Sequence, residues 1–222
     1  MRYHPVILAA GFSSRYGDQN ENKLMADLDG KPMYRHITER LLAIRETRDD
    51  IDDLTIITRK GEIFDVCRSD KRLFCVENSH PERGISSSMK IGLTTVGCLI
   101  ATEFREAVRR YGDDGLSLLD ERHAMVCFVA DEPYLQEETI NAFLDGFKES
   151  GKMMGAISLN GTPYNPCAFR ADCWRELKNL SGDTGGKQLF RRHADEVYYY
   201  PLPVSRAREV SDIDFKEDLS LR

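Results

Sequence analysis

The sequence predicts one α/β domain built on a mostly parallel sheet, and three observations carry that expectation. Strand-like and helix-like stretches alternate along most of the 222 residues. Two strand-like runs, Val6-Ile7-Leu8-Ala9-Ala10 and Ala124-Met125-Val126-Cys127-Phe128-Val129-Ala130, are apolar throughout, which suits strands covered on both faces. Both runs stop abruptly, one at Gly11 and one at Asp131. Ligands of parallel sheets sit beyond the carboxyl ends of the strands, so these two stops are the first places to look for chemistry.

Along the chain, Pro32 opens a helix with Ile37, Leu41, Leu42 and Ile44 at helical spacing. Leu54-Thr55-Ile56-Ile57-Thr58 is a second strand and Leu73-Phe74-Cys75-Val76 a short third one. Ser86 to Thr95 reads as a helix with a serine-rich start. In residues 96–122, Leu99, Ile100, Phe104, Ala107 and Val108 line one face of a further helix, which Gly112-Asp113-Asp114-Gly115 breaks. After the strand at 124–130 come an amphipathic helix from Thr139 to Phe147, strands at Gly155–Leu159 and Pro166–Phe169, and a helix carrying Trp174 and Leu177 that Asp172 is placed to cap. Val197–Tyr200 is a late strand and Phe215–Leu219 a final short helix. No repeat, low-complexity tract or linker divides the chain, so 1–222 reads as a single domain with a helical insertion around 96–122.

Composition narrows the function classes. Apolar residues make up 41% and charged residues 31%, ordinary values for a chain with a packed core. The net charge of -6 argues against a non-specific grip on nucleic acid, so no nucleic-acid partner is expected. The apolar run after Met1-Arg2-Tyr3-His4-Pro5 ends at Gly11, too soon for a signal segment or a membrane span; no membrane partner and a cytoplasmic location are expected. The six cysteines form no C-x-x-C pair and read as reduced, mostly buried thiols. The five histidines show no H-x-x-x-H pair, and zinc is not expected.

The stretch Leu8-Ala9-Ala10-Gly11-Phe12-Ser13-Ser14-Arg15-Tyr16-Gly17, with Lys23 beyond it, carries the most chemistry. Small residues let a ligand approach the backbone, whose N–H groups then face phosphate or base. Arg15 offers a fork of donors matched to phosphate oxygens, and Lys23 a compact second charge. A strand, a turn and two solvated cations is the plainer reading of the same residues, but four features coincide rather than one.

This stretch resembles the signature of the MobA-like nucleotidyltransferase superfamily. Three further segments resemble its molybdenum cofactor cytidylyltransferase (MocA-like) branch, in order: Gly84-Ile85-Ser86-Ser87-Ser88; Leu180-Ser181-Gly182-Asp183-Thr184-Gly185-Gly186, entered from Asn165-Pro166-Cys167-Ala168-Phe169; and Asp212-Ile213-Asp214-Phe215-Lys216-Glu217-Asp218-Leu219. The resemblance implies a Rossmann-like three-layer fold of the nucleotide-diphospho-sugar transferase type. It implies that a nucleoside monophosphate, CMP from CTP by the Ala10 variant of the signature, passes to a phosphorylated acceptor such as molybdopterin or the molybdenum cofactor. Leu8, Ala9, Ala10, Gly11, Ser13, Gly84, Ser86 and Ser87 would then hold the nucleotide, Arg15 and Lys23 its phosphates, and Asp131 and Asp214 a Mg2+ ion. Arg15, Lys23 and Asp131 would be catalytic; Asn165, Pro166, Gly182, Asp183 and Gly185 would face the acceptor. A molybdoenzyme or its maturation factor would be the macromolecular partner.

The chain departs from the family where Ala130-Asp131-Glu132-Pro133 replaces Gly-Asp-Gln-Pro or Gly-Asp-Met-Pro, and where Phe215-Lys216 replaces Thr-Pro. Those changes bear on the acceptor, which leaves a sugar, alditol or choline phosphate, or a cofactor-binding carrier without turnover, as alternatives. Gly182 to Lys187 is no P-loop, since Gln188 stands where Mg2+ needs a hydroxyl, and Gly84 to Ser88 is no nucleophile elbow, since Ser88 stands where glycine is needed.

Overall fold

The computed structural model describes residues 1–12, 16, 22–101, 109, 122–182, 185–215 and 218. Strand β1 (Arg2–Ala9) pairs on both sides and every residue after Arg2 is buried, as its apolar run requires. A two-residue hairpin, β2 (Asp27–Leu28) and β3 (Lys31–Pro32), leads into α1 (Met33–Thr47). Next come β4 (Leu54–Thr58), α2 (Glu62–Cys67), β5 (Leu73–Glu77), α3 (Ile85–Leu99), β6 (His123–Val129), α4 (Glu137–Ser150), β7 (Met154–Leu159), β8 (Thr162–Arg170), α5 (Trp174–Lys178), α6 (Lys187–Arg192) and β9 (Val197–Pro201). The main sheet has seven strands in the order β5-β4-β1-β6-β8-β7-β9. Its pairings are parallel except where β8 lies antiparallel to β6 and β7.

The period of two in β1 splits the core into two layers. Tyr3 and Ile7 face Ile37, Leu41 and Ile44 of α1 and Phe143 and Phe147 of α4. Val6 and Leu8 face Met89, Leu93 and Val96 of α3, with Leu177, Leu189 and Phe190 beyond. Each fully buried side chain of this kind contributes roughly 1.5–3 kcal/mol. Helix α3 lies close on β1 because Gly92 has no side chain: a Cβ there would stand 2.7 Å from a Val6 methyl. That close approach brings the start of α3 beside the carboxyl end of β1.

Several details differ from the sequence expectation. Asp172 caps no helix; it pairs with Arg170, and α5 comes after a tight turn at Ala171–Cys173. The serines do not cap α3 either, since Gly84 holds the cap position without a side-chain bond. Helix α4 starts at Glu137, before Thr139. The hairpin β2–β3, α2, α6 and the turn at Val204–Val210 carry too little periodicity to be legible in the sequence. Residues 96–99 continue α3; most of 102–121 lies outside the described residues, as does most of the expected helix at 215–219. All six cysteines are free thiols, with only Cys98 exposed. No helix among the described residues is long and apolar enough to cross a membrane.

Candidate active site

A cavity of about 340 Å3 opens at the carboxyl ends of β1 and β6. Leu8 to Phe12 form its floor, Lys23 and Leu24 one wall, Pro81, Gly84, Ile85 and Ser88 the opposite wall, and Val129 and Asp131 its end. Leu24 belongs to the core layer of α1, and Met89, next to Ser88, to that of α3, so the cavity straddles the edge of the sheet. The floor is small and near-neutral: Ala9 and Ala10 are buried, and nothing stands within 4 Å of where a Gly11 Cβ would be. Phe12, 54% exposed, carries the Arg59 guanidinium 5.4 Å from its ring centre at the rim.

Charge is gathered on the α1 side. Asn22 accepts a hydrogen bond from the Leu24 N–H and starts the turn Lys23–Met25, which projects Lys23 across to the end of β6. Lys23 Nζ lies 2.7 Å from Asp131 Oδ2 and donates to Asp214 Oδ1 at 3.0 Å and to the Ile213 carbonyl at 3.1 Å. The tail is strapped there independently: Ile213 N–H donates to the Asp131 carbonyl at 3.0 Å, Ile213 is buried, and the buried Glu209 carboxylate accepts from Gln136 N–H at 3.0 Å. Burial alone would lower the Lys23 pKa, but attraction from Asp131 and Asp214 outweighs it and holds the ammonium above its usual value.

Two carboxylate oxygens within 3.0 Å of one cationic nitrogen, each on a residue about a quarter exposed, form a hard-oxygen donor pair. Mg2+ binds through one or two carboxylates and fills the rest of its shell with water and substrate phosphate, so these residues fit such an ion. Among the described residues no group of three or more metal-ligating side chains forms.

The next residue at the same strand end is a different kind of group. Glu132 is buried and accepts from Asn165 Nδ2 at 3.1 Å. Burial, aided by Asp131 and Asp212 and opposed by the Asn165 bond and Lys187, pushes its pKa up to about 8. Lys187 lies exposed, 5.8 Å from the Tyr164 ring centre on β8.

The structure thus brings Leu8, Ala9, Ala10, Gly11, Lys23, Gly84 and Asp131 to one cavity, and Asp214 to its charged corner. Ser86 and Ser87 do not line the cavity. Ser86 is buried, and Ser87 is tied to Asn78, Gly84 and His80. Ser88 takes their place, one turn position away from where the motif alone points. Asn165 and Pro166 lie on β8, joined to the end of β6 through Glu132. Gly185 sits against Ile85, 3.4 Å from where its Cβ would be, and Gly182 takes a left-handed φ of 69°. Ser13, Arg15 and Asp183 lie outside the described residues. Sequence reasoning does not mark Asn78, Ser88 or Lys187 as site residues. A lone polar residue after a strand gives no periodic signal, and Lys187 merely trails a glycine-rich loop.

A family model described as a MobA-like NTP transferase domain matches residues 5–197. No curated protein sequence matches the chain. Among solved structures, Rv0371c from Mycobacterium tuberculosis H37Rv is similar with a TM-score of 0.66 and 17% identity, over 99% of this chain and 96% of that one. Its manganese complex gives 0.59 at 15%, over 95% and 98%. Molybdopterin-guanine dinucleotide biosynthesis protein A from Archaeoglobus fulgidus gives 0.62 at 15%, over 98% and 95%. A CMP:2-keto-3-deoxy-manno-octonic acid synthetase complexed with CTP gives 0.60 at 13%, over 99% and 96%. At such identities the likeness shows the fold, a mostly parallel seven-stranded sheet of the nucleotide-diphospho-sugar transferase type.

Proposed function

The chain belongs to the MobA-like NTP transferase domain family, and we propose on that footing that it is a Mg2+-dependent cytidylyltransferase acting on the molybdenum cofactor or its metal-free pterin. The observation that carries this reading is the meeting of Lys23, Asp131 and Asp214 at the end of a cavity floored by Leu8 to Gly11. In the reaction, an acceptor phosphate oxygen attacks the α-phosphorus of CTP; a new P–O bond forms as the α–β bridge breaks and pyrophosphate leaves. A Mg2+ ion held by Asp131 and Asp214 would offset the repulsion between acceptor and triphosphate.

The protein's own part is placement. The floor backbone offers N–H groups without side chains in the way. Lys23 supplies positive charge where the leaving pyrophosphate gains negative charge, and Arg15, on the same signature, would grip the phosphates beside it. No nucleophilic side chain is needed. On the acceptor side, Asn165 and Tyr164 stand on β8 and Lys187 at the start of α6, and Gly182, Asp183 and Gly185 would face the acceptor with them. The occurrence of a CTP complex and a manganese complex among proteins of the same fold supports the nucleotide and the divalent ion. The test is pyrophosphate release with Mg2+, each of the four ribonucleoside triphosphates, and either pterin form. Release confined to CTP and the pterin establishes the reading. Release with a sugar, alditol or choline phosphate would reassign the acceptor, and absence of triphosphate binding would overturn it.

A further inference from the structure

The neutral wall of the cavity is organised by a residue that lies behind it. Asn78 stands just past β5, is 2% exposed, and anchors its own N–H on the Thr58 carbonyl at 2.7 Å. Its side-chain oxygen accepts from His80 N–H at 2.9 Å, which fixes the orientation of the amide: reversed, two donors would face each other. Both amide hydrogens are then committed, to Ser87 Oγ at 2.8 Å and Ser88 Oγ at 2.9 Å. Ser87 passes its own hydrogen to the Gly84 carbonyl at 2.8 Å. Ser88 is 5% exposed and lines the cavity, and among the described residues its hydroxyl accepts from Asn78 but donates no hydrogen bond. A hydroxyl that receives a donor from behind keeps its own hydrogen, which can then point forward into the cavity.

We propose that Asn78 is a specificity-positioning residue, which by donating to Ser88 turns that hydroxyl into a fixed donor aimed at a hydrogen-bond acceptor of the nucleoside, O2 or N3 of a cytosine ring. This rests on the nucleotidyltransferase reading. With the triphosphate held at Lys23 and Asp131, the uncharged wall formed by Gly84, Ile85 and Ser88 is left to the nucleoside. Asn78 itself touches no ligand.

The decisive variant is Asn78→Asp. It keeps the oxygen that accepts from His80 and replaces only the donors, so the Ser88 hydrogen is drawn back to the carboxylate and the cavity meets lone pairs instead. Binding of CTP and of inorganic tripolyphosphate, each with Mg2+, is measured by calorimetry, with melting temperature as the check on folding. Asn78→Asp should weaken CTP about tenfold or more, by the loss of a buried hydrogen bond, and leave tripolyphosphate unchanged. Ser88→Ala should lose CTP affinity by a similar factor, and in that background Asn78→Asp should cost nothing further. Unaltered CTP binding in Asn78→Asp, an equal loss for tripolyphosphate, or additive losses in the double variant would each overturn the proposal. Failure of the unsubstituted protein to bind CTP would instead overturn the nucleotide reading beneath it. If Asn78→Asp does not fold, Ser88→Ala decides alone through the contrast between CTP and tripolyphosphate.

Discussion

Strands β1 and β6 lie side by side, and the pair carries a polar cluster at each end. At the amino ends, His4 Nε2 meets His123 Nδ1 at 2.9 Å with the rings stacked 5.1 Å apart, and both residues are 1% exposed. Asp52 lies 3.1 Å from His4 Nδ1, close but not aligned as a hydrogen bond, and pairs with Arg2. At the carboxyl ends, Asp131, Lys23 and Asp214 meet beside an open cavity. Both clusters are titratable, and both sit on the same apolar strands. The histidine pair of the first is sealed, and only its neighbours Asp52 and Arg2 reach the surface, so its chemistry is spent inside the protein. The second keeps oxygen lone pairs within reach of a ligand. Exposure to a cavity, and not the mere presence of charged or basic groups, separates a site from a structural joint.

The largest effect that sharpens this contrast belongs to Asp131. Asp131→Asn removes one carboxylate charge from the open cluster and should lower Mg2+-dependent pyrophosphate release about a hundredfold or more, with the melting temperature nearly unchanged. Normal turnover in that variant would remove Asp131 from the mechanism and make the two clusters equivalent.

The sealed cluster should answer in stability instead. Burial lowers the His4 pKa to about 4, with His123 and Arg2 adding to it and Asp52 opposing. The unfolded chain takes up its proton near the ordinary histidine value while the folded chain does not, so stability is present above about pH 6.5 and is lost as pH falls towards 4. The loss is on the order of 2 kcal/mol. Denaturant titrations between pH 7 and 5 should show it in the native protein and a flatter profile in His4→Asn, whose side chain cannot titrate there. Parallel profiles would mean that the pair is not what the folded state strains to keep neutral.

A smaller effect is expected from Lys23. Lys23→Ala should weaken triphosphate binding about tenfold, by removing a charge-assisted contact, while the acceptor KM moves less. Equal losses on both substrates would assign Lys23 to holding the tail through Asp214 and Ile213, and not to the phosphates.

The two clusters are unequally legible in the sequence. Strand β1 and strand β6 announce themselves by unbroken apolar runs, and the carboxyl end of such a run in a parallel sheet is a site by topology alone, so Gly11 and Asp131 can be read. Asp214 comes only through resemblance, because an acidic tail has no periodicity to place it. His4 and His123 are separated by 119 residues and meet only because β1 and β6 pair in one register, which no local pattern encodes. The sequence points to Ser86 and Ser87 rather than Ser88 because three consecutive serines at a helix start differ only in which way the first turn points them. That rotation is fixed by Asn78 and by the close packing of Gly92 on Val6.

The smallest expected effect concerns the residue that joins the open cluster to β8. Glutamine carries the same kind of side-chain oxygen with which Glu132 accepts from Asn165. Burial already favours the uncharged form of Glu132, so Glu132→Gln preserves both the bond and the local charge. Nucleotide and acceptor KM should each stay within about twofold of the native values at neutral pH. Glu132→Leu keeps the burial but leaves the Asn165 amide without its acceptor, and should raise the acceptor KM several-fold while the triphosphate KM holds. A rise in the triphosphate KM in either variant would place Glu132 with Asp131 in the charged corner. A rise confined to the acceptor would make it the hinge between the two halves of the cleft, where one strand end serves both substrates through adjacent residues of opposite burial.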